Sequence, residues 1–347
     1  MKKTAVIASV IIIALVIIAL AYTISLYVPF DTTPQKETVT IIDALGVAVE
    51  VEVPVERVIS LASDLTEIIC ALGSEDKIVG RDGTSIFPPS ILEKAVVGES
   101  SYTPNLEVLL ELNPDLVVSD SMLTNETRQE IEGAGVPVFI STSVEVDPRS
   151  TVTAINSTGQ LVRKFGLILG EEEKANEIVD YMESYENLVN ERLENLTTSE
   201  QPLVYYEWYM SWFSCVTATV THAGGINIAA EEPVSYPTLS AEYVAEKNPD
   251  VIVRKITSPE HDVVDFETMR EEILNRPGLS EVEAIKEGRV YVYEYVIWTG
   301  IRCPVGLLYW AKWFHPSLFE DIDPGAIHEQ LIQEFFGVDL EGVFAYP

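Results

Sequence analysis

Two stretches concentrate aromatic side chains where helical periodicity gives no reason for them: Tyr205 to Phe213 (YYEWYMSWF) and Val296 to Arg302 (VIWTGIR). Trp208, Tyr209 and Trp212 in the first, and Trp298 in the second, suit the walls of a site for a flat or bulky ligand. Packing at a core edge is the competing reading, and it is the expected one for Tyr205, Tyr291, Tyr293, Trp310 and Trp313. Arg302, next to Trp298, has the planar fork that holds a carboxylate or another anion bidentately. An ion pair with one of the chain's many carboxylates carries equal weight for it. His222, His261, His315 and His328 lie far apart with no partner at i+4, so a bare metal held by histidines is not expected. Ferric coordination through Tyr102 or Tyr209 is a weaker option. Cys70 falls in a helical pattern and reads as core. Cys215 and Cys303 share the second half of the chain and could pair in an oxidising compartment. No Gly-x-Ser-x-Gly, His-Glu-x-x-His, phosphate loop or dinucleotide fingerprint occurs, so the residues do not suggest an enzyme.

The elements that must position these residues alternate between short apolar strands and helices, which implies α/β lobes with mainly parallel sheets. Ligands of such sheets sit beyond the carboxyl ends of the strands. Those ends are Ser63-Asp64, Arg81-Asp82 and Ser119-Asp120-Ser121 early in the chain, then Tyr206 to Trp212, Arg254-Lys255 and Trp298 to Arg302. Arg81 joins the ligand candidates on this ground, and Tyr102 as the tyrosine option for a ferric centre. Between the two groups runs Glu171 to Leu196, without Gly or Pro, with Ala175, Ile178, Val179, Met182, Tyr185, Val189, Leu193 and Leu196 on one helical face. It predicts a rod roughly 39 Å long. On either side stand related segments, Asn105–Ser119 and Leu239–Arg254. Glu107, Glu111, Asn113, Pro114 and Asp115 match Glu242, Glu246, Asn248, Pro249 and Asp250 in one register. Each unit reads as a short helix, a proline stop and a buried strand. A hairpin is expected around Leu45-Gly46, a helix starting at Asp147-Pro148 and another near Phe266 to Asn275. A turn with a helix start is expected in THAGGINIAAEE, and two amphipathic helices at the C-terminal end.

The 347 residues carry 55 acidic and 22 basic side chains, a net charge of −33, which argues against nucleic acid as a partner. After Met1-Lys2-Lys3, Ala5 to Val28 hold 24 residues without a charge. That exceeds a secretory core segment and suits a spanning helix, with the lysines inside and the remainder outside. The expected layout is a membrane helix in 1–28, a tether in 29–37, a lobe in 38–170, the inter-lobe helix in 171–196 and a second lobe in 197–347.

The chain resembles the substrate-binding proteins of ABC importers for iron–siderophore, haem and cobalamin. The resemblance rests on RVISLASDLTEIICALGSEDKIVG, PNLEVLLELNPDLVVS, AGGINIA, YPTLSAEYVAEKNPDVIV, RPGLSEVEAIKEGRVYVY and GLLYWAKWFHPSLF, in that order. It implies two Rossmann-like lobes joined by one stiff helix, with a metal chelate of iron or cobalt as cargo and no intrinsic cofactor. It also implies one exposed glutamate per lobe, at the positions of Glu107 and Glu242, docking on a dimeric permease that works with a cytoplasmic ATPase. The absence of a lipid-bearing cysteine departs from many members and fits a helical anchor at the cell surface. An oxyanion receptor for molybdate or tungstate, using Arg81, Arg254 and Arg302, is the alternative on the same scaffold. A membrane-anchored redox protein is the alternative from another class.

Overall fold

The computed structural model describes residues 37–141, 152–256 and 263–347. β1 (Glu37–Ile42) and β2 (Ala48–Val53) pair with each other around a turn at Asp43. The Asp43 carboxylate accepts the N–H groups of Leu45 and Val47 at 2.9 and 2.8 Å, the local bond that lets Asp close a turn. The first lobe follows as β3 (Val58–Ser60), α1 (Ser63–Ala71), β4 (Ile78–Arg81), β5 (Ala95–Val96), α2 (Leu106–Glu111), β6 (Leu116–Ser119), α3 (Asn125–Gly133) and β7 (Val138–Ile140). Next come α4 (Ala154–Leu169) and α5 (Glu172–Leu193). The second lobe contains β8 (Leu203–Glu207), α6 (Ala218–His222), β9 (Ile226–Asn227), α7 (Ala241–Lys247), β10 (Val251–Ile256), α8 (Val263–Leu274), α9 (Glu283–Lys286) and β11 (Val290–Glu294). It closes with α10 (Cys303–Phe314), α11 (Pro324–Phe336) and β12 (Ala345–Tyr346).

The sheets run β5-β4-β3-β6-β7 and β12-β11-β10-β8-β9. Within them β4-β3-β6-β7 and β9-β8-β10-β11 are the same four-strand parallel arrangement. The lobes differ at the edges: β5 adds in parallel beside β4, whereas β12 adds antiparallel beside β11. The repeated Asn-Pro-Asp explains the match. Asn113 and Asn248 end their helices with φ of 46° and 47°, the left-handed region that Asn tolerates better than most residues. Asp115 then accepts the N–H groups of Glu56 and Arg57, both at 3.0 Å, and Asp250 accepts that of Leu203 at 2.8 Å. In both lobes one aspartate thus fastens the start of a strand to the start of its neighbour.

The expected rod is present over Glu172–Leu193, shorter at both ends than 171–196, with Ala175, Ile178, Val179, Met182 and Val189 buried. Tyr185 and Leu193 are half-buried against the same core. It is a packed element rather than a free strut. A Cβ added at Gly166 of α4 would lie 2.5 Å from that of Ala175, and one at Gly159 would lie 3.3 Å from Val179, so these glycines let α4 approach closely. α10 packs on it as well. One apolar core runs through the inner faces of both sheets and these helices, including Val118, Phe139, Phe165, Met182, Tyr206 and Trp310. Each sheet buries its outer face in a separate cluster, around Ile59, Val117 and Val138 in one and Tyr205, Ile252 and Val290 in the other. Sheets covered on both faces need strands that are apolar almost throughout, which is how these strands read.

Several expectations shift. α4 is capped by the Thr153 side chain, while Asp147-Pro148 lie outside the described residues. α8 begins at Val263, ahead of Phe266. THAGGINIAAEE yields the end of α6 and the short strand β9 in place of a helix start. Cys70, Cys215 and Cys303 are buried and free, so Cys215 and Cys303 do not pair. Among the described residues no helix is long and apolar enough to cross a membrane; the Ala5–Val28 run lies outside them.

Candidate functional site

The reversal of strand order lies between β3 and β6 in the first lobe and between β8 and β10 in the second, the places where open α/β sheets form a crevice at their carboxyl ends. At the second-lobe crevice the chain leaves β8 into a tight loop, with Trp208 N–H donating to Phe213 O at 2.7 Å. Glu207, fully buried, organises it. Its carboxylate accepts from Arg254 at 2.7 Å, from Arg276 at 2.6 and 3.2 Å, from the Tyr205 hydroxyl at 2.8 Å and from the Trp212 N–H at 3.0 Å. A buried carboxylate survives only when its lone pairs are filled in this way. Trp212, at φ 68°, lies under the Arg276 guanidinium at 4.8 Å and packs on the outer core, so it faces away from the other aromatics of the loop.

Trp208, Tyr209, Phe213 and Tyr236 form one aromatic cluster, with centroids of Trp208 5.1 Å from Tyr209 and 4.9 Å from Tyr236. Tyr209, Met210 and Tyr236 remain exposed. Lys255, at the end of β10, is buried between the rings of Trp208 and Tyr295, 3.8 and 3.9 Å from their centroids, a close cation–π sandwich. Beside it is a small recess lined by Tyr206, Thr217, Thr219, Tyr293, Tyr295, Trp298 and Trp310. The Tyr206 and Tyr293 hydroxyls bond to each other at 2.8 Å. The indole N–H groups of Trp298 and Trp310 are buried without a partner among the described residues. Trp298 stands edge-on to Trp310 at 5.0 Å, and a Cβ on Gly306 would come within 2.6 Å of its ring. Glycine at that position seats the indole.

The first-lobe crevice is built differently. Thr66 hydroxyl bonds Ser60 and Ser85 hydroxyls, both at 2.8 Å, and Ser85 and Thr84 donate to the Asp82 carboxylate. Asp64, half-buried, is pushed up to about 6 by desolvation first and by Asp120 and Glu67 after it. Ile86, Tyr102 and Met122, on loops beyond β4, β5 and β6, form its exposed rim.

The structure therefore places the sequence candidates unequally. Trp208 and Tyr209 pack on each other in the loop after β8, Trp298 is buried against Trp310, and Tyr102 stands exposed beyond β5. Trp212 is engaged by Arg276. Arg81, expected to meet a ligand, is buried, and its guanidinium donates to the carbonyls of Ile91 and Asp82 at 3.0 Å each. Arg302, 2% exposed, takes the ion-pair alternative: its Nε donates to Glu67 Oε2 at 2.8 Å across the lobe boundary. Both guanidiniums satisfy protein acceptors because a buried charge left unpaired is far costlier. Lys255 and Tyr295 were within reach of the sequence, since one ends an apolar strand and the other follows one. Thr217 and Thr219 carried no signal. Among the described residues no group of three His, Cys, Asp or Glu side chains converges on a metal-sized site.

Two α/β lobes with equivalent four-strand sheets, one connecting helix and a crevice at each switch point define a two-lobed α/β fold. Residues 58–295 match the Periplasmic binding protein family, and the chain belongs to it, as its resemblance to ABC importer substrate-binding proteins implies. The cobalamin-binding protein of Halobacterium salinarum is 28% identical over 231 residues, covering 63% of this chain and 59% of that protein. The chain thus spans less than two thirds of that relative's length. A vitamin B12-binding protein of Vibrio cholerae is 30% identical over 213 residues, 57% of this chain and 70% of its own. The molybdate-bound periplasmic binding protein MolA of Haemophilus influenzae superposes with a TM-score of 0.70 at 21% identity, covering 87% of this chain and 99% of its own, a likeness of fold.

Proposed function

We propose that the protein is the receptor of an ABC importer and captures a bulky metal chelate, a corrinoid, haem or iron–siderophore complex, between its lobes. The observation that carries this reading is the Trp208–Tyr209–Phe213–Tyr236 cluster beside Tyr295 at the second-lobe crevice, which offers ring faces to a large, partly apolar ligand. The names of the H. salinarum and V. cholerae relatives agree with it. An oxyanion receptor would call on Arg81, Arg254 and Arg302. All three guanidiniums already bond Ile91 and Asp82 carbonyls, Glu207, and Glu67 respectively, which disfavours that alternative. Capture and delivery, with no chemical step and no resident cofactor, is the activity of this reading. Glu107 and Glu242, exposed on the first turns of α2 and α7, dock the loaded receptor on the permease dimer. Ala5–Val28 anchors it so that the lobes face outward, as lysines at the inner end require.

The test is isothermal titration of the full chain, in a mild detergent, with cyanocobalamin, haemin, a ferric hydroxamate and molybdate. Saturable binding of one chelate, weakened about tenfold or more by Trp208→Ala as expected for a buried aromatic anchor, is the expected result. Binding of molybdate alone replaces the chelate reading by the oxyanion one.

A further inference from the structure

The residues on which Arg302 acts lie in both lobes. From α1 of the first lobe, Glu67 accepts its Nε at 2.8 Å. The Phe87 ring, also of the first lobe, lies 4.3 Å beneath the guanidinium and packs edge-on against Phe336 of α11. His328 of α11 stands 3.4 Å from the guanidinium Nη1. Two residues earlier, Gly300 takes φ 50°, and a Cβ there would rest 3.4 Å from the Asp64 carbonyl oxygen. Segment 294–302 thus begins at the end of β11, carries Tyr295 and Trp298 into the aromatic wall, and ends pinned to α1 of the opposite lobe.

We propose that Arg302 is a positioning residue of the binding cleft, bonded to Glu67 across the lobe boundary so that the other lobe sets where Tyr295 and Trp298 stand. The ligand readout below rests on the cleft reading; the tie itself does not.

The charges facing the tie are Glu67 and Asp64 from α1, Asp120 beyond β6, Glu294 from β11 and His328 from α11, around the single guanidinium of Arg302. Burial raises Glu67, opposed by Arg302. Burial likewise lifts Glu294 to about 7, opposed by Arg302 and assisted by Glu67. Asp64 stands at about 6. His328 is held well below its usual value by burial and then by Arg302, and is neutral. The pair needs Glu67 ionised: burial disfavours that charge and the Arg302 guanidinium restores it.

The test is hydrogen exchange of the full chain in a mild detergent, comparing 294–302 with the reference strand 251–256, each corrected for intrinsic exchange. Glu67→Gln is expected to lower protection of 294–302 about threefold or more and to leave 251–256 unchanged. Cyanocobalamin affinity falls in the same variant. Unchanged protection in Glu67→Gln, or an equal loss in 251–256, overturns the positioning role. If the exchange results hold while neither cyanocobalamin, haemin nor a ferric hydroxamate binds, the tie stands and the chelate reading fails.

Discussion

The two lobes share a four-strand scaffold and have opposite chemistry at the mouth. In the first, the strand ends carry hydroxyls and carboxylates that satisfy one another, as in Ser60–Thr66–Ser85–Asp82, with Ile86, Tyr102 and Met122 as a sparse apolar rim. In the second, the same strand ends carry Trp208, Tyr209 and Tyr295 around the buried Lys255. The motif that repeats is confined to what builds the sheet. Asn113 and Asn248 turn the chain, and Asp115 and Asp250 fasten neighbouring strands. The crevice residues do not repeat, because a loop at the end of a strand is free to change without disturbing the ladder beneath it. A pair of lobes can therefore keep one frame and present two unlike surfaces to one ligand.

The largest effect that would sharpen this contrast comes from Glu207, which has no counterpart in the first lobe. Glu207→Ala leaves Arg254 and Arg276 buried without their carboxylate and is expected to cost about 3–5 kcal/mol. Chemical denaturation measures the loss, and loosening of the Trp208–Phe213 loop should accompany it. Retained stability would mean that the aromatic loop stands without its buried ion pairs. Asp115→Ala and Asp250→Ala test the equivalence of the scaffold. Each removes a side-chain hydrogen bond to the backbone and is expected to cost about 0.5–1.5 kcal/mol. The bond of Asp250 to Leu203 is half-buried while those of Asp115 to Glu56 and Arg57 are open to water, so the loss at Asp250 should be the larger. A null effect at one site would break the structural equivalence of the lobes.

The smallest effect on stability belongs to the exposed glutamates. Glu107→Ala and Glu242→Ala should each leave folding stability close to that of the wild type, as surface substitutions do. Glu242 is held below its usual carboxyl range by its own backbone N–H and by Ser240, so its change is expected to be slightly the larger. Together the two substitutions should abolish uptake of the ligand in cells while leaving binding intact. Unchanged uptake would remove the docking role from both lobes at once.

What was legible in the sequence was local and repetitive. The 3.6-residue spacing along α5, the proline stop after α2 and α7, and the uninterrupted apolar strands each follow from the covalent chain and its need to bury backbone polar groups. They sufficed for two α/β lobes and a connecting helix. The aromatic loop after β8 was legible too, because Trp and Tyr stand there without helical or strand periodicity. The roles of Arg81, Arg302 and Lys255 were not. An arginine at the end of a strand has the same local signature whether it faces a ligand or a carboxylate from the opposite lobe. Glu67 lies 235 positions from Arg302 in the chain, and nothing local announces their bond at 2.8 Å. Lys255 likewise looks like a surface cation until Trp208 and Tyr295 close over it. The sequence by itself determined which segments form strands and helices and where their ends carry chemistry. Only the tertiary structure decided which charged groups are spent on each other, since desolvation and pairing depend on what the fold brings within a few ångströms.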